Sequence, residues 1–513
     1  MTFFESLLVL LAVAILLLQV SRRLAIPYPA MLAAAGVGLA LIPGAPRIML
    51  DPKTALALFI APALVDAAFD FPAGAVWRLW RPLFALAVVA VVLTTIVVAW
   101  CGIALAGLPI YAAVALGAIV APPDAAAAVA VLRTVRMPPN SVVVLKGESL
   151  LNDATALLLF GVAVSIQSHG GSNWSWALHL GLAVPGGVLL GVILAKLFRH
   201  VIPLVAGTLG GNLFEFVSAF GVWIIAERIG VSAVLTLVAF AMTISRAVGR
   251  IVHPRTRIHS FAVWTSAVFF LNVLAFLLMG LQARVIVEDM SPSRLREAAR
   301  FAFLVVVCIV AARVAWVVLY DWLARRFRVL RGNYRPLTMA HSVLVGWCGM
   351  RGLVTLATSF ALPPTFPQRD LIVLTAFAVV LATVIIQGLT LPPLIRILKL
   401  DAHDGSAAEL AEARAELAKV ALDALDGKTG TAADHLRYAF RAVQSSVATP
   451  PDPRPLEEKR KLGLAALRRQ RERLEQLRAE YRIDPDNYLM LQEELDFQEV
   501  TLASEEERRI EES

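Results

Sequence analysis

The chain has 513 residues, 58% of them hydrophobic, a mean hydropathy of +0.72 and a net charge of +8. This composition excludes an ordinary soluble protein and predicts a polytopic membrane protein. Residues 1–400 contain 30 basic and 14 acidic side chains, whereas residues 401–513 contain 17 and 25. We therefore predict a membrane domain at 1–400 and a helical, candidate regulatory tail at 401–513. The basic excess fits cytoplasmic loops and does not indicate a nucleic-acid partner.

Thirteen apolar segments are near the length of about 20 residues that crosses a bilayer. The loops between them alternate, with 20 basic residues on one side and 8 on the other. The positive-inside rule then places the N-terminus outside and the C-terminus in the cytoplasm, which requires an odd number of spans. We predict an all-α polytopic fold with spans near 3–20, 28–43, 54–70, 82–106, 110–132, 141–166, 177–198, 211–228, 231–249, 260–283, 299–322, 337–362 and 371–397.

Two of these spans place a carboxylate close to proline. Asp66 follows Pro62 in the third span, and Asp124 follows Pro122 and Pro123 in the fifth. Proline has no N–H to donate, so the Pro-Pro pair breaks the fifth helix. Irregular backbone at membrane depth is tolerated only where it lines a cavity or is buried in protein. A broken helix with a neighbouring carboxylate is typical of ion-coupled transporters, and a plain proline kink is the alternative.

The sixth span contains four polar residues near its middle. Helical spacing places Ser149 and Asp153 on one face, and Glu148 and Asn152 on the next. An ionisable residue inside a membrane helix indicates a functional site by default. The first face offers hard oxygen ligands for a small cation, whereas the second suits a structural hydrogen-bonding pair. The alternative is a capping box or a satisfied polar contact between helices.

The twelfth span contains a lone arginine, Arg351, among three glycines. Glycine weakens the helix there, and a buried arginine needs a carboxylate or a cluster of carbonyl groups. We predict a structural pair between Arg351 and Glu148, which leaves Asp153 and Asp124 for transport. The fifth and twelfth spans occupy corresponding places if spans 1–6 and 8–13 are two halves of opposite topology, as in inverted-repeat transporters.

No motif for enzymatic chemistry is present in the sequence. It contains no phosphate-binding glycine loop, no His-Glu-x-x-His and no Gly-x-Ser-x-Gly. We therefore expect no hydrolysis of ATP, no enzymatic activity and no cofactor beyond the transported ions. The three cysteines lie in separate apolar segments, which does not indicate a disulfide framework.

Several separated segments resemble the bacterial branch of the monovalent cation:proton antiporter-1 family, the sodium/proton exchangers. Gly147-Glu-Ser-Leu-Leu-Asn-Asp153 resembles the family's ion-site helix with its Asn-Asp pair. Pro122-Pro-Asp124 resembles its unwound fifth helix, and Gly349-Met-Arg-Gly352 its glycine-flanked arginine helix. The segments 226–235 and 270–282 are also similar, so the resemblance extends over nearly all of residues 1–400.

The resemblance implies thirteen helices, a homodimer in the bacterial cell membrane, and exchange of a monovalent cation for protons by an elevator-like movement. It implies that Asp153 and Asp124 bind the cation, assisted by Ser149 and the backbone of Pro123. Many relatives have Thr-Asp-Pro where this chain has Pro-Pro-Asp, so no threonine hydroxyl stands beside Asp124.

The resemblance also implies that Glu148 pairs with Arg351 and with Asn152. Asp66 stands where relatives often have glutamate, and its shorter side chain is a further candidate ligand or gate. Asn152, in place of a second acidic residue, implies one proton for each cation and therefore electroneutral exchange.

A proton and a cation that compete for the same buried carboxylates are sufficient for exchange, provided that the empty, charged site does not cross the membrane easily. Exchange of Na⁺ for H⁺ is the first hypothesis. Exchange of K⁺, or of monovalent cations broadly, is the second, because the ligands do not separate ions of one charge. A cation channel or a sensor regulated by the tail is the third.

The tail is predicted to contain three helices. We predict one helix over 401–445, a break at 449–455 and a second helix over 456–482 with Leu467, Leu474 and Tyr481 at heptad spacing. A third helix is predicted from Tyr488 to about Ile510. A partly disordered, charged tail is the alternative.

Overall fold

The computed structural model shows helices as the only regular structure in the part of the chain that it describes. The chain divides into two compact units, Met1–Asp401 and Ala402–Glu512. The described residues are 12–17, 19–20, 31–32, 52–69, 71–124, 139–169, 174–205, 208–251, 254–288, 290–332, 334, 336–400, 405–446, 454–480 and 482–503.

Fourteen helices of the first unit lie within the described residues after position 51. They are α1 (Pro52–Phe69), α2 (Ala73–Arg78), α3 (Trp80–Ala106), α4 (Ile110–Val120), α5 (Pro139–His169), α6 (Trp174–Val205), α7 (Leu209–Ile229), α8 (Ala233–Ile251), α9 (Pro254–Glu288), α10 (Pro292–Arg326), α11 (Arg328–Arg331), α12 (Met339–Trp347), α13 (Leu353–Phe360) and α14 (Arg369–Ile397).

The described helices confirm an all-α membrane fold. Six of them, α3, α5, α6, α9, α10 and α14, are long and apolar enough to cross a membrane, and three shorter apolar segments lie in α1, α4 and α8. Large apolar side chains are exposed on the outside of these helices, including Trp100, Leu189 and Phe303. Such a surface is stable against lipid and not against water. The spans predicted near 3–20 and 28–43 lie mostly outside the described residues, so the count of thirteen remains a prediction.

Both of the predicted helix breaks are found. Helix α4 ends at Val120, and residues 121–124, which include the Pro-Pro pair, are not helical. The continuation of this span over 125–132 lies outside the described residues. The twelfth span consists of α12 and α13, separated by the non-helical residues 348–352. The glycines on either side of Arg351 therefore do interrupt the helix.

Close helix packing positions α5, α10 and α12 around these breaks. A Cβ atom on Gly346 of α12 would lie 2.9 Å from the Cα atom of Val314 on α10. Glycine is thus required at this contact, because a larger side chain would push α12 away from α10. The ion pair between Glu148 of α5 and Arg313 of α10 joins α5 to the same region.

Two π-helical turns lie inside long helices near the same region. Residues Ala85–Val89 form one in α3, and Thr383–Gln387 form the other in α14. A π turn disturbs the regular ladder and is often found at functional sites. The indole N–H of Trp316 donates to the carbonyl of Ala85 at 2.9 Å, and the Thr383 hydroxyl accepts from the backbone N–H of Arg351 at 3.1 Å.

The second unit contains two helical hairpins. Helices α15 (Gly405–Ala424) and α16 (Thr431–Ser445) form the first, and α17 (Arg454–Ala479) and α18 (Pro485–Leu502) form the second. The single helix predicted over 401–445 is wrong, because the chain turns between α15 and α16 with Gly427 and Gly430 at φ values of 70° and 120°.

The heptad residues of α17 serve the second hairpin. Leu467 and Leu474 are buried, 4% and 6% exposed, and Tyr481 lies outside the described residues. Helix α17 carries nine basic and four acidic residues, whereas α18 carries five acidic and no basic residues. Arg471 joins the two helices by donating to Asp496 at 2.6 Å and to Glu499.

Candidate ion-binding site

The candidate site lies where the two broken helices cross. The backbone N–H of Asp124 donates to the carbonyl of Met350 at 2.7 Å, and Nε of Arg351 donates to the carbonyl of Val120 at 2.8 Å. Arg351 is 1% exposed and also donates through Nη1 to the carbonyl of Gly349. The arginine therefore satisfies backbone carbonyls that the helix breaks have released, which lets irregular backbone exist inside the membrane.

Gly352 allows Asp124 to reach the crossing. A Cβ atom at position 352 would lie 2.8 Å from Cγ and 2.9 Å from Cβ of Asp124, and closer still to its Oδ2 atom. No amino acid with a side chain fits there without moving the carboxylate. The glycine after Arg351 is thus required by the close approach of Asp124.

Helix α5 brings the polar residues of the sixth span to the same place. The amide Nδ2 of Asn152 donates to the carbonyl of Pro123 at 2.9 Å, and Asn152 is fully buried. Asp153 is 8% exposed and lies within electrostatic reach of Asp124. Oδ1 of Asn152 has no hydrogen-bond partner among the described residues, so it remains available to a water or an ion.

A small cavity lies at this crossing. It is lined by Pro123, Asp124, Leu145, Glu148, Ser149, Arg313, Val345 and Cys348. The centre of a water-sized sphere can move within about 10 Å³ of this cavity. That is near the smallest volume that holds one water molecule. Carboxylate, hydroxyl and carbonyl oxygens at one cavity form a donor set that fits a small hard cation.

The predicted pair between Glu148 and Arg351 is wrong. Glu148 is instead held by Arg313 of α10, with Nη1 against Oε1 and Nη2 donating to Oε2 at 3.0 Å. Both residues are buried, 1% and 4% exposed. Such a two-pronged contact matches the planar guanidinium to the carboxylate and is the strong form of this ion pair. Arg351 instead donates to backbone carbonyl groups, which were the other kind of partner expected for a buried arginine.

Three further sequence predictions have different outcomes. The side chain of Asn152 contacts the Pro123 carbonyl and not Glu148, so the implied Glu148–Asn152 contact is not formed. Ser149, Asp124 and the Pro123 backbone lie at the cavity, with Asp153 nearby, as a shared site requires. Asp66, half-buried on α1, does not line this cavity.

Sequence reasoning left the role of Arg313, inside the eleventh span, undetermined between snorkelling and pairing, and it did not place Cys348 at the cavity. Arg313 carried a usable signal, because a charged residue in the middle of an apolar span must find a partner. Cys348 carried no such signal, because a cysteine in an apolar segment usually packs as a small hydrophobic side chain.

The charges at the crossing are unbalanced. Two arginines, Arg313 and Arg351, face three carboxylates, Glu148, Asp124 and Asp153. With all five groups ionised, their net charge is minus one. Glu148 is paired with Arg313, whereas Arg351 donates to the backbone carbonyls of Val120 and Gly349.

Crossed, discontinuous helices with carboxylates at the breaks define an ion-coupled secondary transporter. The solved structure of the sodium proton antiporter MjNhaP1 from Methanocaldococcus jannaschii has the same fold, with a TM-score of 0.58 at 18% identity, over 78% of this chain and 99% of that one. The family model described as sodium/hydrogen exchanger, transmembrane, matches residues 8–397. This chain belongs to the sodium/hydrogen exchanger family and is a cation/proton antiporter.

Two relatives illustrate the transporters to which this chain is similar. An uncharacterized Na⁺/H⁺ exchanger of Mycobacterium tuberculosis is 29% identical over 500 residues, which cover 92% of this chain and 91% of the relative. A sodium, potassium, lithium and rubidium/H⁺ antiporter of Bacillus pumilus is 31% identical over 391 residues, which cover 72% of this chain and 57% of the relative.

Proposed function

We propose that this protein exchanges Na⁺ for H⁺ across the bacterial cell membrane, with the two ions competing for Asp124 and Asp153. The observation that carries the proposal is the crossing itself, where Asp124 and Ser149 line one cavity and Asp153 lies within electrostatic reach. A buried carboxylate such as that of Asp153 is costly while it is charged. A proton or a cation relieves that cost equally well, so either ion excludes the other.

The charge balance favours one proton for each cation. The five ionised groups at the crossing sum to minus one, so one Na⁺ or one H⁺ brings the crossing to zero. Both loaded forms are then neutral, whereas the empty form carries a charge that is expensive to move through a low-dielectric environment. The empty protein therefore does not return alone, which couples the two fluxes and makes the exchange electroneutral.

The proposal also covers the orientation of the protein in the membrane, its movement, the role of the tail and the need for a cofactor. The alternation of basic loops supports an external N-terminus and a cytoplasmic C-terminus. Alternating access by an elevator-like movement in a homodimer is proposed from the family to which the chain belongs. The 401–513 unit is proposed to modulate the exchange, since it is compact and carries no part of the ion site. No cofactor is required, because the transported ions neutralise the site.

A broader cation range is the second candidate function. The Bacillus pumilus relative is named for transport of sodium, potassium, lithium and rubidium. In this chain no threonine hydroxyl stands beside Asp124, because proline occupies positions 122 and 123. A donor set with fewer fixed oxygens discriminates less sharply between ions of one charge.

The test is a cation series with purified protein in liposomes. An imposed pH gradient is monitored with an enclosed dye while Na⁺, Li⁺, K⁺ and Rb⁺ are added in turn at fixed ionic strength. Dissipation by Na⁺ and Li⁺ alone supports the first candidate, and dissipation by all four supports the second. A proton flux that follows an imposed voltage and needs no cation gradient would indicate a channel and would refute both.

A further inference from the structure

A second cavity adjoins the ion cavity, on the arginine-rich side of the membrane domain where Arg81 and Arg325 lie near Tyr320 and Asp321. Its polar lining consists of Ser141 on α5, Tyr320 and Asp321 on α10, and Tyr334 in the segment before α12. Its volume is about 10 Å³ on the same measure as the ion cavity, which again is room for about one water molecule. Asp321 lies eight residues after Arg313, or roughly 12 Å along the helix.

A thin apolar partition separates the two cavities. Leu145 on α5 and Val345 on α12 line both of them, so the two cavities adjoin at these side chains. Both side chains are buried, 6% and 2% exposed. We call these two residues the partition.

The polar atoms around the second cavity are incompletely satisfied. Asp321 is 2% exposed, and its Oδ2 atom accepts from the Ser342 hydroxyl at 2.6 Å. The Tyr334 hydroxyl and the backbone N–H of Leu337 lie within reach of the Asp321 carboxylate, and Tyr334 lies within reach of Ser141. Neither Oδ1 of Asp321 nor the Ser141 hydroxyl, however, forms a hydrogen bond of good geometry among the described residues. Buried polar atoms are almost always satisfied by protein or by ordered water. A water in this cavity would serve both atoms and would lie beside Tyr334.

The surroundings leave the carboxylate able to take a proton. Arg325, on the same helix, donates to the carbonyl of Leu337 and acts on Asp321 only at a distance. From α3, Arg81 acts on Tyr320, and from α12, His341 contacts Thr338. Helix α5 contributes only the neutral Ser141. Burial and the charge of Asp321 raise the pKa of Tyr334, which therefore remains a neutral hydroxyl.

We propose that Asp321 and one water molecule in this cavity form a second proton-binding site, through which protons pass between the arginine-rich side and the ion site. Asp321 accepts a proton from the aqueous side and becomes a neutral carboxyl group. It then gives that proton to the cavity water, which passes one of its own to an ion-site carboxylate when Leu145 and Val345 separate. Each step breaks one O–H bond and forms another, and Asp321 is a carboxylate again at the end. The proposal rests on the proposed cation/proton exchange.

The first test is the rate of exchange in Asp321→Asn. This variant keeps the shape and a contact for Ser342 but does not carry a proton as a carboxyl group does. Loss of a positioned proton donor slows proton transfer by about 10²- to 10⁴-fold in enzymes, so we expect exchange to fall about tenfold or more at the alkaline end of its pH range. The apparent KM for the cation should not change, and Asp321→Glu should restore part of the rate.

Ile309→Ala is the control for a structural role. Ile309 is a fully buried residue of α10 that lines neither cavity, so its truncation should lower the melting temperature and leave the rate of exchange near that of the wild type. Infrared difference spectra between acidic and alkaline samples should show a protonated-carboxyl carbonyl band that is missing in Asp321→Asn. Equal rates in Asp321→Asn and wild type, or the absence of such a band, would overturn the proposal.

The second test concerns the partition. Leu145→Ala shortens a side chain that lines both cavities, whereas Val144→Ala shortens a neighbour that lines only the Asp321 cavity. We expect a cation-independent proton leak in liposomes with Leu145→Ala and none with Val144→Ala. The leak should disappear in the double variant Leu145→Ala, Asp321→Asn, and a leak that persists there would overturn the route through Asp321.

These results are separable from a failure of exchange itself. If the wild-type protein gives no cation-dependent proton flux, the proposed function fails. If the wild type exchanges ions and the Asp321 and Leu145 variants behave like it, only the second proton site is refuted.

Discussion

Asp153 lies nine-tenths buried within electrostatic reach of Asp124, and in the proposed mechanism its charge binds both transported ions. We expect Asp153→Asn to abolish exchange without unfolding the protein, because the amide keeps the shape and loses the charge. The measurement is cation-dependent proton flux in liposomes, with Glu227→Gln as the matched control. Glu227 is an exposed carboxylate at the end of α7, so its variant should exchange normally. Normal flux in well-folded Asp153→Asn would contradict the assigned ion site.

Glu148 and Arg313 form the buried ion pair that joins α5 to α10. Removing one partner leaves an uncompensated buried charge, which costs about 3–5 kcal/mol. We therefore expect Glu148→Ala and Arg313→Ala each to lower the melting temperature in detergent, and the double variant to lose less than the sum. The same cycle with Arg351→Ala in place of Arg313→Ala is the control. A larger coupling of Glu148 to Arg351 than to Arg313 would contradict the observed pairing.

The sequence predicted that the polar residues of the sixth span lie close to the fifth-span break, but it did not predict their partners. Helical spacing places Glu148 and Asn152 on one face whatever surrounds them. Which arginine reaches Glu148 depends on how α10 and α12 lie relative to α5, and the position of α12 on α10 depends on contacts between helices such as Gly346 against Val314. No pattern within a single helix contains that information.

Helix breaks were the most predictable elements, since their cause is local. Pro122 and Pro123 lack N–H donors, and Gly349 and Gly352 flank the second break. The π turns in α3 and α14 were not predicted, because their sequences contain neither proline nor a distinctive spacing. The turn between α15 and α16 carried a signal in Gly427 and Gly430 that was outweighed by the surrounding helix-forming residues.

Substitution of Gly352 tests how closely the two helix breaks, at residues 121–124 and 348–352, must approach each other. A methyl group there would overlap the Asp124 carboxylate, so we expect Gly352→Ala to displace that ligand. A displacement that costs about 1.4 kcal/mol of binding free energy raises the apparent KM for the cation about tenfold. Gly161→Ala, on α5, is the control, because nothing lies within 4 Å of the added carbon. It should leave transport unchanged and stabilise the helix by up to about 1 kcal/mol. Equal KM values for both variants would contradict the close approach.

The membrane domain and the tail are separate compact units, and the proposed ion competition uses only the first. At low pH protons occupy Asp124 and Asp153, and at high pH the proton for the return step is scarce. We therefore expect a bell-shaped pH profile whose acidic limb moves to lower pH as the cation concentration rises. Deletion of residues 401–513 should preserve the bell, even if it changes its height. The measurement is exchange rate against pH at several cation concentrations, in full-length and truncated protein.

Two results would count against this view of the whole molecule. An acidic limb that stays fixed at every cation concentration would exclude simple competition. A bell that vanishes on truncation would assign the pH response to the hairpins of the tail.

A net charge of minus one at the crossing, as the proposed mechanism requires, would determine which part of the proton-motive force can drive this protein. A membrane voltage does work of about 2.3 kcal/mol per elementary charge for each 100 mV, but only on charge that moves through the field. On the proposed stoichiometry both loaded forms are neutral at the crossing, so the voltage does no work on either of them. A cell with a large membrane potential and no pH gradient could not expel sodium through this exchanger. A cell with a pH gradient alone could.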